Sequence, residues 1–224
     1  GERRWHFQQI HHDIWDWDVP AAPVLADLPN GRKIVMSVTK QAFVYTYDRL
    51  TGEPIWPIVE RPVPAGDVPG EWYSPTQPFP TLPAPFDRQT VTEDDLLDWS
   101  PELRALALEA TKGFRLSTVL YTPPSLTDAA DGTRGLLSLP SSTGGANWEG
   151  STIDPETGIL YVPSRTQLQM LTLAKNPDSD IALSQGFGVR VPRIQGLEIV
   201  KPPYGRITAI DMNSGEHLWM IANA

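Results

Sequence analysis

YDRLTGEPIW at 47–56, IDPETGILYV at 153–162 and IDMNSGEHLW at 210–219 share one phrase. In each, an aspartate opens a polar turn, a glycine follows four positions later, and an apolar or aromatic run comes next. An aspartate side chain can bond the backbone of its own turn, and glycine accepts the positive φ that such turns require. The phrase therefore reads as the bend of a β-hairpin, and GERRW at 1–5 reads as the tail of a further copy.

The apolar runs around these turns are short and rich in β-branched and aromatic residues: KIVMSV at 33–38, AFVYTY at 42–47, ILYVPS at 159–164 and RITAID at 206–211. They read as strands. Residues 92–110, TEDDLLDWSPELRALALEA, are different. Thr92 and Asp95 are spaced as a capping box, and Ser100-Pro101 as a second N-cap with a first-turn proline, which predicts two short helices. The stretch before them, 57–87, is proline-rich but also carries Trp72, Tyr73, Phe79 and Phe86. A solvated tether has few aromatics, so we read 57–112 as an ordered insertion lying over the main domain.

Repeated hairpins whose faces cannot be buried alone are the raw material of a β-propeller, in which four-stranded blades pack side by side around an axis. The copies are too few to close a ring, and one begins at the first residues while another ends at Trp219, so we expect a fragment of a larger propeller.

The composition narrows the chemistry. With 40% hydrophobic residues in 224, a substantial core is possible, and no apolar run reaches the length of a membrane span. The opening residues do not read as a signal peptide. A formal charge of −9 with scattered basic residues argues against nucleic acid as partner. The absence of cysteine excludes disulfides, thiolate metal sites and a thiol nucleophile within these residues. No Gly-x-Gly-x-x-Gly, phosphate loop or nucleophile elbow is present, which removes support for nicotinamide, nucleotide and serine-hydrolase chemistry.

Reactive side chains gather in three segments: HHDIWDWD at 11–18, TKQAFVYTYDRLTGE at 39–53 and GGANWEG at 144–150. Read alone, Asp13 is a turn or cap residue, Lys40 a solvated lysine, and Asn147-Trp148 a turn asparagine before a core tryptophan. His11 and His12 have no second cluster to complete a zinc set and read as structural.

Taken together, the segments resemble a known family. Ala209, Asp211, Gly215 and Trp219 fit the tryptophan-docking motif of quinoprotein dehydrogenases, which use pyrroloquinoline quinone (PQQ). The copy at 47–56 has Thr46 in the alanine place, and the copy at 153–162 has Val162 in the tryptophan place. HHDIWDWDVPAAPVLADL is similar to the segment that carries the catalytic aspartate in membrane-type PQQ glucose dehydrogenases and their soluble relatives. Asp13 takes that place, Lys40 falls where the family has a basic residue, and Asn147 and Trp148 match its Gly-Gly-x-Asn-Trp segment.

The resemblance implies an all-β fold, part of an eight-bladed β-propeller, that oxidises a sugar or alcohol with PQQ and calcium and passes electrons to a quinone or cytochrome acceptor in the periplasm. It implies membrane association only through a part not present here. It casts Asp13 as catalytic base and calcium contact, Lys40, Asn147 and Trp148 as cofactor-binding, Asp16 as an orienting neighbour and Asp18 as a surface turn residue. The family's adjacent cysteines, stacking tryptophan and two further calcium ligands fall upstream of these residues. The rival reading is a non-catalytic propeller that scaffolds another protein.

Overall fold

A computed structural model describes residues 1–178, 180–186 and 190–223. Val24–Asp27, Lys33–Val38 and Val44–Asp48 form a first antiparallel sheet in that order, extended by a bridge from Tyr47 to Pro54. A second sheet runs Glu216–Ala222, Gly205–Asp211, Ile159–Arg165, Thr152–Asp154, four antiparallel strands in the manner of a blade.

The repeated phrase makes the same bend three times. The N–H groups of Gly52, Gly158 and Gly215 donate to the carbonyls of Asp48, Asp154 and Asp211 at 2.8, 2.8 and 2.7 Å. All three glycines have positive φ, +80°, +76° and +83°. The aspartate carboxylates accept from backbone N–H groups inside the turn, at Leu50 and Thr51, Glu156 and Asn213. The N–H of Thr51, and then that of Leu50, holds the Asp48 carboxyl below its ordinary range.

Tryptophans then join one repeat to another. A Cβ on Gly52 would lie 2.5 Å from the Trp5 ring, and one on Gly215 would lie 2.9 Å from Trp56. Trp5 also donates its indole N–H to the Arg49 carbonyl at 3.2 Å. The copy at 153–162 stands outside this relay: a Cβ on Gly158 would meet Asn213 and Leu28 rather than an indole. Its Val162 is fully buried between the sheets, where the larger indole would overfill the core.

The first sheet is covered on both faces, which is why 42–47 is a continuous apolar run. Ile34, Met36, Val38 and Val44 face Leu160, Val162 and Ile210 of the second sheet. On the opposite face, Phe43, Tyr45 and Tyr47 pack with Trp15, Trp17 and Tyr121.

The two predicted helices are a single 3-10 turn, Glu93–Asp95, and an α-helix, Pro101–Thr111. Asp95 accepts from the Thr92 N–H at 2.8 Å, and Ser100 caps the α-helix by accepting from Leu103 N–H at 3.2 Å. The proline-rich stretch folds into the hairpin Ile58–Pro62/Thr76–Pro80 and buries Phe86 completely. A third sheet has no counterpart in the sequence reading. It joins Leu183–Gln185, Gln169–Lys175, Leu136–Ser138 and Arg115–Leu116, with Ser125–Leu126 alongside.

Gly31 and Gly52 separate backbone cost from docking cost. Both have positive φ, but a Cβ at Gly31 meets nothing within 4 Å. Gly31→Ala should cost about 1 kcal/mol, and Gly52→Ala about 1–3 kcal/mol more because Trp5 must move. Urea unfolding midpoints, read at unchanged slope, check the difference.

Candidate active site

The loop at 11–18 closes around its own carboxylate. Asp13 Oδ1 accepts from the Trp15 N–H at 2.9 Å, and Oδ2 accepts from the Trp17 N–H. His12 and Asp16 take left-handed φ values of +43° and +63°, which bends the chain sharply enough for this return. The period-two pattern sends Trp15 and Trp17 inward as a stacked pair, ring centroids 5.2 Å apart, while Asp16 and Asp18 stay outside. Each indole N–H is anchored, Trp15 on the Thr122 carbonyl at 2.8 Å and Trp17 on the Ser141 carbonyl at 2.9 Å.

Asp13 keeps an exposed edge, yet much of its surroundings is protein. Lost hydration pushes its carboxyl above the ordinary value; the two backbone N–H groups and Lys40 offset this in part, and Asp16 adds to it. Asp13 and Asp16 line a cavity of about 340 Å³ with Trp15, Ser142, Thr172 and Gln185.

Lys40 sits on the turn between the second and third strands of the first sheet, and its side chain is only 7% exposed. Its ammonium donates to the Asp16 carbonyl at 2.8 Å and to Asp18 Oδ1 at 2.5 Å. The reading of Lys40 as solvated does not hold. Asp18 stays at the surface, as expected, and is also the partner of the lysine, while Asp16 meets the ammonium through its backbone carbonyl and, at 3.6 Å, its carboxylate.

The Gly-Gly step lies directly on this turn. A Cβ at Gly144 would fall 2.4 Å from Lys40, one at Gly145 would fall 2.9 Å from Ala42, and Gly145 N–H donates to the Lys40 carbonyl at 2.9 Å. Beyond it, Asn147 spends one amide N–H on the Thr143 carbonyl at 2.7 Å and accepts from the Trp148 N–H at 2.9 Å. Trp148 projects outward, 85% exposed. Asp13, Lys40 and the Gly-Gly loop thus converge, whereas Lys40, Asn147 and Trp148 do not line the cavity beside Asp13.

His11 and His12 pair with Glu60 and Glu71 of the proline-rich segment, each at 2.9 Å, and Gln77 exchanges two bonds with the His11 backbone. Among the described residues, no group of three or more acidic or histidine side chains is arranged to hold a metal. Tyr121 is missed by sequence reasoning. It is fully buried at φ +67°, packs edge-on against both loop tryptophans, and its hydroxyl makes no hydrogen bond among the described residues.

The model of the family described as "PQQ: Glucose/ethanol/alcohol dehydrogenase, beta-propeller domain" matches residues 1–224. The chain belongs to the PQQ-dependent dehydrogenases. It is 30% identical over 99% of its length to a quinate/shikimate dehydrogenase (quinone) of Acinetobacter baylyi, of which it covers 29%. A glycerol dehydrogenase large subunit of Gluconobacter thailandicus is 31% identical over 98% of the chain, which spans 33% of it. Quinoprotein glucose dehydrogenase of Escherichia coli is 28% identical over 98%, with 29% of that protein covered. The solved quinohemoprotein alcohol dehydrogenase of Comamonas testosteroni superposes at TM-score 0.50 over 98% of the chain and 27% of its own, at 18% identity, a likeness of fold. The chain therefore spans about a third of the length of these quinoproteins.

The free donors suit a quinone, and the Asp13 carboxylate can contribute to a hard-cation site without completing one among the described residues. Lys40 has three N–H groups, of which Asp16 and Asp18 engage two. Each Asp13 oxygen accepts one N–H and keeps lone-pair capacity for a cation or a hydroxyl. Asn147 keeps a second amide N–H, and Trp148 an open indole face.

The raised pKa of Asp13 carries a sign. The native state binds a proton more tightly than the unfolded chain does, so the contribution of Asp13 is most favourable below the unfolded value of 3.8 and is lost as pH rises through the native value. In calcium-free buffer, the stability of Asp13→Asn relative to the parent should improve as pH rises from about 3 to about 7, a trend readable from urea midpoints.

Proposed function

We propose that the full-length protein oxidises a hydroxyl of a sugar, polyol or related alcohol, with PQQ and calcium as cofactors. The observation that carries this reading is a carboxylate clamped by two backbone N–H groups beside a cavity of mixed polar and apolar lining, on a loop latched by a buried lysine. When bound, PQQ supplies the hydride-accepting carbonyl and calcium the Lewis acid beside it.

Asp13 takes the substrate hydroxyl proton at Oδ1, which accepts from Trp15 N–H and keeps a further lone pair. Partial burial makes this carboxylate a stronger base than a surface aspartate. Lys40 would direct its remaining N–H to a quinone oxygen and offset the negative charge that reduction would bring there. Asn147 and Trp148 orient the flat cofactor, and Asp13 serves also as a calcium ligand.

The cavity sets Asp13, Asp16, Ser142, Thr172 and Gln185 against Ile14, Trp15, Pro124, Leu171 and Leu173. Its carboxylates and hydroxyls can bond substrate hydroxyls while its apolar wall covers the carbon skeleton, in keeping with relatives named for quinate, glycerol and glucose. Electrons then pass to a quinone or cytochrome acceptor, and we place the reaction in the periplasm.

Full-length protein supplied with PQQ and calcium should reduce an electron-accepting dye in the presence of a polyol or sugar. Asp13→Asn should lower kcat by about 10²–10⁴. Turnover independent of PQQ, or undiminished in the variant, overturns the reading.

A further inference from the structure

Three consecutive carbonyls of the Lys40 turn are each taken by a donor from elsewhere in the chain. Lys40 O accepts from Gly145 N–H at 2.9 Å, Gln41 O from the Gln89 side-chain amide at 2.6 Å, and Ala42 O from Phe86 N–H at 3.0 Å. The turn that carries the lysine is therefore held by two straps, 86–89 and 144–145.

Both straps lead to one place. Between Phe86 and Gln89 stands Asp87, with a side chain only 1% exposed. Ser164 donates to its Oδ2 at 2.5 Å, Thr166 to its Oδ1 at 2.5 Å, and the Arg88 N–H to the same oxygen at 2.6 Å. Arg206, itself 9% exposed, pairs with Asp87 Oδ1 and also donates to Thr166 Oγ1. The residue between Ser164 and Thr166, Arg165, donates its N–H to the Gly145 carbonyl at 2.9 Å. One short stretch of chain thus fixes Asp87 through its side chains and Gly145 through its backbone.

A buried ion pair is weak evidence of stability, since removing two charges from water costs about as much as their attraction returns, and apolar residues of equal volume pack as well. Its effect lies in geometry: a carboxylate with four donors can occupy one position only. From this we infer that Asp87, held by Arg206, Ser164 and Thr166, is a positioning residue for Lys40 and the Gly-Gly loop. It sets the place of the ammonium that meets the quinone. The inference rests on the quinone-binding role given above to Lys40.

The test uses full-length protein with calcium and follows PQQ binding by quenching of tryptophan fluorescence, the midpoint potential of the bound quinone, and Tm. Asp87→Asn should weaken PQQ binding by on the order of tenfold or more, the scale seen when groups that orient a ligating side chain are removed. The potential should fall as the ammonium retreats, and kcat should drop with substrate KM unchanged. Should Asp87→Asn fail to fold because Arg206 is left unpaired, Gln89→Ala decides. It leaves the ion pair whole, removes one strap from the turn, and should weaken PQQ binding about threefold at unchanged Tm. Binding and potential equal to the parent in the variants that fold overturn the inference while leaving the quinone reading intact. A parent that does not bind PQQ overturns the quinone reading and this inference with it.

Discussion

An indole lying on a glycine governs the spacing of this molecule. Trp5 on Gly52 and Trp56 on Gly215 bring ring carbons where any other residue would place a Cβ, so these repeats can approach this closely only because a glycine stands at each turn. The aspartate that opens each turn ties the bend through backbone N–H groups of its own turn. Sheet position then follows from local geometry, and the apolar faces of the first and second sheets close on one another through Ile34, Met36, Leu160 and Ile210.

The site grows from that spacing. The Lys40 turn emerges from the first sheet, Ser164 and Arg206 stand on neighbouring strands of the second, and the Gly-Gly loop precedes the second sheet. Once the sheets are fixed, these meet without side-chain bulk between Gly144 and Lys40. The loop at 11–18 adds the carboxylate, whose geometry depends on its own two backbone bonds and on the anchored tryptophans beneath it.

What could be read in the sequence was what is local. The Asp-turn-Gly phrase, the strands at 33–38 and 159–164, and the caps at Thr92 and Ser100 are each specified by a few adjacent residues, and the structure bears these out. The third sheet escaped because it is assembled from strands as short as Arg115–Leu116 and Ser125–Leu126, both paired in parallel with distant partners, so no hairpin signal marks them. Asp87 and Tyr121 escaped because their surroundings come from residues far away in the chain. Arg206 did leave a trace, since it shares the inward face of its strand with Thr208 and Ile210, where a charge needs a partner. The copy at 153–162 was read with Val162 in the tryptophan place, and that position is fully buried in the core between the sheets.

The paired contacts of His11 with Glu60 and His12 with Glu71 tie the reactive loop to the proline-rich segment, as Lys40 ties it to the first sheet. Such a loop cannot be exchanged as a separate cassette. A descendant that replaced that segment to admit a different substrate would have to find new partners for two adjacent histidines at once, so divergence in what is admitted and in how the base is held must proceed together.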